Sequence, residues 1–127
     1  MIDVAIVGFG PTGAALAGLL AQRGLAVTVI EREEQLFGLP RAVQCDHEVL
    51  RILQELGIAE EVLEGCIVNG GIDLVSASHE RLLSVDVPPL APTGWPSSVF
   101  FHQPTFEGIL RRRAVELGAE VRLGIGV

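Results

Sequence analysis

Residues 8–13 read Gly-Phe-Gly-Pro-Thr-Gly, between a β-rich apolar run, Ile2–Val7, and an Ala/Leu-rich run, Ala14–Arg23. The pattern continues to Ala17 and Gly24. A strand, a tight turn and a helix give each of these glycines a task. Gly8 permits the turn out of the strand. Gly10 lets the backbone approach a pyrophosphate with no Cβ between them. Gly13 lets the helix lie close to the sheet. The N-terminus of such a helix offers free N–H groups and a partial positive charge to a diphosphate. Leu16, Leu19 and Leu20 set the apolar spacing of the helix, and Gly24 sits where a C′ glycine ends it. Ala26–Ile30 is a second β-branched run, which completes a βαβ unit with parallel strands. The first strand is expected to be buried on both faces.

Glu31 closes the second strand at about the ~20-residue separation expected of a ribose-binding acid. Its carboxylate accepts both hydroxyls of an adenosine ribose and disfavours a 2′-phosphate. The motif therefore reads as a dinucleotide site, and by itself it does not choose between NAD and FAD.

Charge narrows the reading further. Sixteen acidic residues against nine basic ones give a net charge of −7. That lacks the basic footprint of a nucleic-acid binder. Every basic residue is an arginine, so a Walker-A loop and lysine-nucleophile chemistry are excluded. A helix dipole and glycine amides explain how such a chain binds a dianion. Cys45 and Cys66 suit two buried or half-buried thiols in a reducing compartment. Cys45, close to Arg41, is a candidate for mild activation. Pro11–Ala21, the longest apolar stretch, is too short for a membrane span. A cytoplasmic location is expected, with no membrane or nucleic-acid partner.

Beyond Glu31 the chain alternates again. Asp46 is a helix cap followed by Val49, Ile52, Leu53 and Leu56 on one face, with Gly57 as the stop. Ala59–Leu63 reads as a short helical turn. Ile72–Ser76 and Leu82–Val87 read as a hairpin, within a stretch of about residues 70–90. Pro88–Ser98 carries four of the seven prolines and Trp95, an irregular connection. Val99–His102 is extended. A third helix starts at Pro104 and Thr105, buries Phe106, Ile109, Leu110, Ala114 and Leu117, and ends at Gly118. On it, Arg111–Arg113 with Glu107 and Glu116 read as a solvated, salt-bridged face. Val121–Ile125 is the last strand. The order is α/β: a Rossmann-like domain with a parallel sheet and an antiparallel hairpin insertion. No closing element follows Glu120–Val127, so residues 1–127 are expected to be part of a larger unit whose uncovered sheet surface favours self-association.

Four segments together carry a resemblance: Gly8–Gly13, then Glu31-Arg32, then Leu39-Pro40-Arg41-Ala42, then Phe101-His102-Gln103-Pro104. They resemble the N-terminal part of class A flavoprotein aromatic hydroxylases, the FAD monooxygenases of the para-hydroxybenzoate hydroxylase type. Pro40–Val43 with Asp46-His47-Glu48 and Leu50-Arg51 is most similar to 3-(3-hydroxyphenyl)propionate hydroxylase-like enzymes. The resemblance implies FAD as cofactor, NAD(P)H as electron donor, O₂ as oxidant and a small phenolic substrate. It also implies cofactor-binding roles for Gly8, Gly10, Pro11, Thr12 and Gly13, with Thr12 against the diphosphate. Glu31 and Arg32 would contact adenosine, Arg41 the diphosphate and adenine side, and Gln103 the ribityl chain. A guanidinium pairs bidentately with phosphate oxygens, which suits Arg41 to that place. The hairpin would serve the substrate side. The family's two later flavin motifs, an Asp-Gly pair and a Gly-Asp segment, are absent from these residues, and no catalytic residue is assigned. The other readings are a stand-alone dinucleotide module without redox activity, and a halogenase or reductase of the same fold group.

Overall fold

The computed structural model describes all residues, 1–127. The elements in chain order are β1 (Val4–Val7), α1 (Pro11–Gln22), β2 (Val27–Ile30), β3 (Gln44–Asp46), α2 (His47–Glu55), α3 (Ala59–Leu63), β4 (Ile67–Val68), β5 (Gly71–Val75), β6 (Arg81–Asp86), β7 (Ser98–Phe100), α4 (Gln103–Glu116) and β8 (Glu120–Arg122). The fold is α/β, as the sequence pattern implies.

A parallel sheet, β1-β2-β8, carries the βαβ unit, with β2 in the middle. Val4 pairs with Val27, Val7 with Ile30, and Ile30 with Arg122. The Gly8 amide extends the ladder to the Ile30 carbonyl at 2.8 Å, so the glycine loop starts from a fixed sheet position. Gly24 and Gly118 follow the C-caps Arg23 and Leu117 with positive φ, as C′ glycines do.

β1 departs from the expected burial. Ile6 is buried but Val7 is 67% exposed. Helices cover only one face of this strand, so its side chains alternate in and out. The leucines of α1 are also not its core. Ala14, Ala17 and Gly18 are the buried residues, because α1 lies close against α4. At Gly18 an added Cβ would meet a Leu56 methyl at 2.9 Å and the Ala114 Cα at 3.7 Å. Small residues permit that approach.

A second sheet, β3-β7-β4, is antiparallel with β7 central. Gln44 and Ile67 flank Phe100, and Cys45 and Val68 flank Val99. Ser98 anchors it through its hydroxyl, which accepts from Gln44 at 2.7 Å and Asn69 at 3.2 Å. Asp46 caps α2 as its position implies, accepting from the Glu48 and Val49 amides at 3.0 and 3.1 Å. The buried face of α2 is Leu50, Leu53 and Leu56, a phase shift from the expected one; Ile52 is 41% exposed. Val49 and Ile52 instead join Leu16 and Leu19 around an apolar cavity of about 400 Å³.

The hairpin β5–β6 stands apart. Ile72 pairs with Val85 and Leu74 with Leu83, which puts four apolar side chains on one face. All four are exposed. The connection expected over Pro88–Ser98 is irregular up to residue 97, with a bridge between Leu90 and Pro96, while Ser98 already belongs to β7. Trp95 packs against the core and donates from Nε1 to Gln54 at 3.0 Å. No helix is long and apolar enough to cross a membrane.

Candidate dinucleotide site

The glycine loop ends at the N-terminus of α1. Gly8 has φ +100°, a left-handed conformation that a side chain would strain. At Gly13 an added Cβ would collide with the Gly8 carbonyl oxygen, so this glycine serves strand–helix packing. At Gly10 an added Cβ would meet nothing within 4 Å. Gly10 therefore faces open space in front of the helix. No side chain caps α1, and its first turn carries no acidic residue. Amides left without a side-chain acceptor at the positive end of a 12-residue helix, behind an open glycine face, suit a diphosphate. Pro11 begins the helix and Thr12 is exposed beside it.

Glu31 is tied to this loop. Its Oε2 accepts from the Phe9 amide at 2.7 Å and its Oε1 from the Glu33 amide at 3.0 Å. The Glu33 amide, then the Phe9 amide, hold the carboxyl below the usual carboxylate value against a partial burial, and the Arg111 charge adds to them. Each carboxylate oxygen has a second lone pair. An anionic Glu31 thus keeps capacity for two ribose hydroxyls while it holds the loop.

The remaining expected ligands come from separate elements. Arg32 is exposed and pairs with Glu33 at 2.9 Å. The Arg41 guanidinium carbon lies 4.9 Å from the Phe37 ring centroid. Gln103, the first residue of α4, is buried. Its Oε1 accepts from the Arg41 and Ala42 amides at 2.6 and 2.8 Å. Its Nε2 donates to Glu107 Oε2 at 3.4 Å, which leaves one amide hydrogen for another acceptor. Gln103 and Thr12 both line the apolar cavity, so the fold brings α4 next to the glycine loop.

One expectation fails on α4. Arg112 and Arg113 do pair with Glu116 on the surface, and Arg112 also reaches Glu61. Glu107 and Arg111 do not belong to that solvated face. Their side chains are 3% and 15% exposed and meet at 2.7 Å. The Arg111 guanidinium carbon lies 5.0 Å from the Phe9 ring centroid. An i,i+4 acid–arginine pair reads the same in sequence whether it faces water or protein. The only available signal was that position 107 shares a helical face with Gln103, Leu110 and Ala114.

Cys45 is not activated. Burial, with the neighbouring Cys66 and Asp46 groups, pushes its thiol up to about 11, and burial raises Cys66 as well. Arg41 does not offset this, because its side chain turns to Phe37.

Comparison with known proteins places this geometry. A family model described as FAD binding domain matches residues 1–126. The chain is 42% identical over 127 residues to the "Probable NADH-specific resorcinol 4-hydroxylase" of Rhodococcus jostii, covering 99% of this chain and 24% of that protein. It is 36% identical over 127 residues to the 3-(3-hydroxy-phenyl)propionate/3-hydroxycinnamic acid hydroxylase of Mycolicibacterium vanbaalenii, covering 96% and 22%. The chain thus spans about a quarter of the length of these relatives. Among solved structures, p-nitrophenol 4-monooxygenase from Pseudomonas putida shares the fold with a TM-score of 0.85 at 22% identity, over 98% of this chain and 32% of that one. Aklavinone-11 hydroxylase, solved with FAD and aklavinone, superposes with a TM-score of 0.73 at 26% identity, over 97% and 25%.

Proposed function

The chain belongs to the FAD binding domain family, and from that premise we propose that it supplies the adenosine and diphosphate end of the flavin site in an NADH-dependent monooxygenase that hydroxylates a small phenolic compound. One observation carries the reading: the uncapped N-terminus of α1 opens behind Gly10, and the ionised Glu31 is fastened to the same loop through the Phe9 amide. Phosphate charge and ribose hydroxyls then meet their complements side by side.

In this reading Gly8, Gly10, Pro11, Thr12 and Gly13 form the diphosphate cradle. Glu31 and Arg32 face the adenosine. Arg41 swings from Phe37 to pair with phosphate oxygens, which its exposure on a loop permits. Gln103 holds the 41–42 segment and directs its free amide hydrogen toward the ribityl chain. Bound FAD supplies the redox chemistry between the nicotinamide and dioxygen. The apolar face of the β5–β6 hairpin, residues within 70–90, lies on the substrate side of the protein. The names of the relatives support NADH as the donor and a phenol as the substrate, and the reaction takes place in the cytoplasm.

The test is direct. The full gene product carrying residues 1–127 is purified, loaded with FAD and given NADH. Resorcinol or 3-(3-hydroxyphenyl)propionate is expected to accelerate NADH oxidation and to yield a product heavier by one oxygen. FAD binding without NADH oxidation supports a non-redox nucleotide module instead. NADH oxidation indifferent to phenols supports another flavin oxidoreductase.

A further inference from the structure

Gln103, Glu107 and Arg111 stand at i, i+4 and i+8 on one face of α4. A continuous line of contacts runs through them. The Arg41 and Ala42 amides donate to Gln103 Oε1. Gln103 Nε2 donates to Glu107 Oε2, and Arg111 Nη2 donates to Glu107 Oε1. Arg111 then lies over the ring of Phe9, whose amide donates to Glu31. One end of this line is the 41–42 segment and the other is the glycine loop.

We propose that Glu107 and Arg111 are positioning residues that hold the glycine loop and the 41–42 segment in the relation needed to receive a dinucleotide between them. The proposal rests on the FAD reading above. Stability alone does not account for the pair. Two desolvated charges in a helix interface are often matched or bettered by apolar side chains of similar volume. Here the arrangement also leaves Arg111 Nε buried without a partner. What the pair adds is geometric. A carboxylate accepts on both oxygens, so Glu107 joins Gln103 on one side to Arg111 on the other. The guanidinium carbon lies over the Phe9 ring, 5.0 Å from its centroid, while Nη2 meets the carboxylate at 2.7 Å. The Arg111 charge also favours the ionised form of Glu31. The two loops are the ends of this line, and Gln103 Oε1 is the acceptor for both amides of the 41–42 segment.

The experiment uses the full gene product carrying residues 1–127, titrated with FAD and followed by flavin fluorescence and the shape of the visible flavin bands. The variants are Glu107→Gln, Arg111→Met, Arg111→Lys and the Glu107→Gln/Arg111→Met double variant. The double variant removes both charges and is expected to melt within a few degrees of the wild type. It is still expected to bind FAD roughly tenfold or more weakly, the size of one misplaced charge-assisted hydrogen bond, with bands nearer those of free flavin. A double variant with wild-type affinity and bands overturns the proposal. Arg111→Lys keeps the charge and loses the delocalised guanidinium over the Phe9 ring, so it is expected to fold, to bind a few-fold more weakly and to exchange the Phe9 amide faster; unchanged affinity and exchange count against the proposal. If the wild type itself binds no FAD, the functional reading fails on its own. The positioning role is then read from amide hydrogen exchange without ligand. Faster exchange at Phe9, Arg41 and Ala42 in the double variant supports it, and unchanged exchange overturns it.

Discussion

The Phe9 amide donates to the Glu31 carboxylate at 2.7 Å, across 22 residues of chain. The bond joins the glycine loop to Glu31 at the end of β2, so the two groups proposed to meet diphosphate and ribose are tied to each other. Because the carboxyl is held below its ordinary value in the folded chain, it contributes stability above the unfolded glutamate value of about 4.3. That contribution is lost as pH falls through the lower, folded value. Glu31→Gln is expected to cost about 1 kcal/mol at pH 7, the worth of a hydrogen bond to a charged acceptor at a partly solvated site. Urea unfolding of both proteins at pH 7 and at pH 3 checks this. The difference should shrink at the lower pH, where the wild-type side chain is itself neutralised.

Gly10 and Gly13 separate binding from folding. Gly10 has φ −73° and open space before it, so Gly10→Ala should change stability by no more than about 0.5 kcal/mol. Its methyl group would fill the open space proposed to receive the pyrophosphate, and FAD affinity should fall by about tenfold or more. Gly13→Ala drives a methyl group into the Gly8 carbonyl and should cost about 3 kcal/mol or more, or prevent folding. Thermal melts and flavin titrations of the two variants give opposite patterns.

Cys45 should be chemically quiet. With its thiol pushed up to about 11, the thiolate fraction at pH 8 is at least about a hundredfold below that of a free cysteine near 8.5. Mass-spectrometric alkylation rates should show Cys45 slow in the folded chain and ordinary in urea. Rapid labelling at pH 8 under native conditions would contradict the assigned burial.

The hairpin face predicts the behaviour of residues 1–127 expressed alone. Ile72, Leu74, Leu83 and Val85 are each about half exposed, on a two-stranded ribbon with free edges. Light scattering at high concentration should report association. Leu74 and Leu83 are cross-strand partners, so Leu74→Glu with Leu83→Lys replaces an apolar pair by an opposite-charge one. That variant should be monomeric with the hairpin retained. A wild-type chain that stays monomeric would show that this face needs no cover.

The parts of the fold readable from sequence are those set by local chemistry. Gly8, Gly13, Gly24 and Gly118 do what backbone geometry allows only glycine to do easily, and Asp46 caps the next amides along the chain. The βαβ corner, with Glu31 at the end of its second strand, and the hairpin follow from such spacings. The three-stranded sheet β3-β7-β4 was not readable, because strands of two or three residues carry no measurable period. Nor was the burial of Glu107 and Arg111. Helical spacing states which residues share a face; it does not say what lies opposite that face. Only the packing of α4 beside the glycine loop, reached through residues more than 90 positions apart, turned an ordinary acid–arginine pair into a buried link between that loop and the 41–42 segment. Burial is a property of the whole arrangement, and its free energy appears only when distant segments exclude water together.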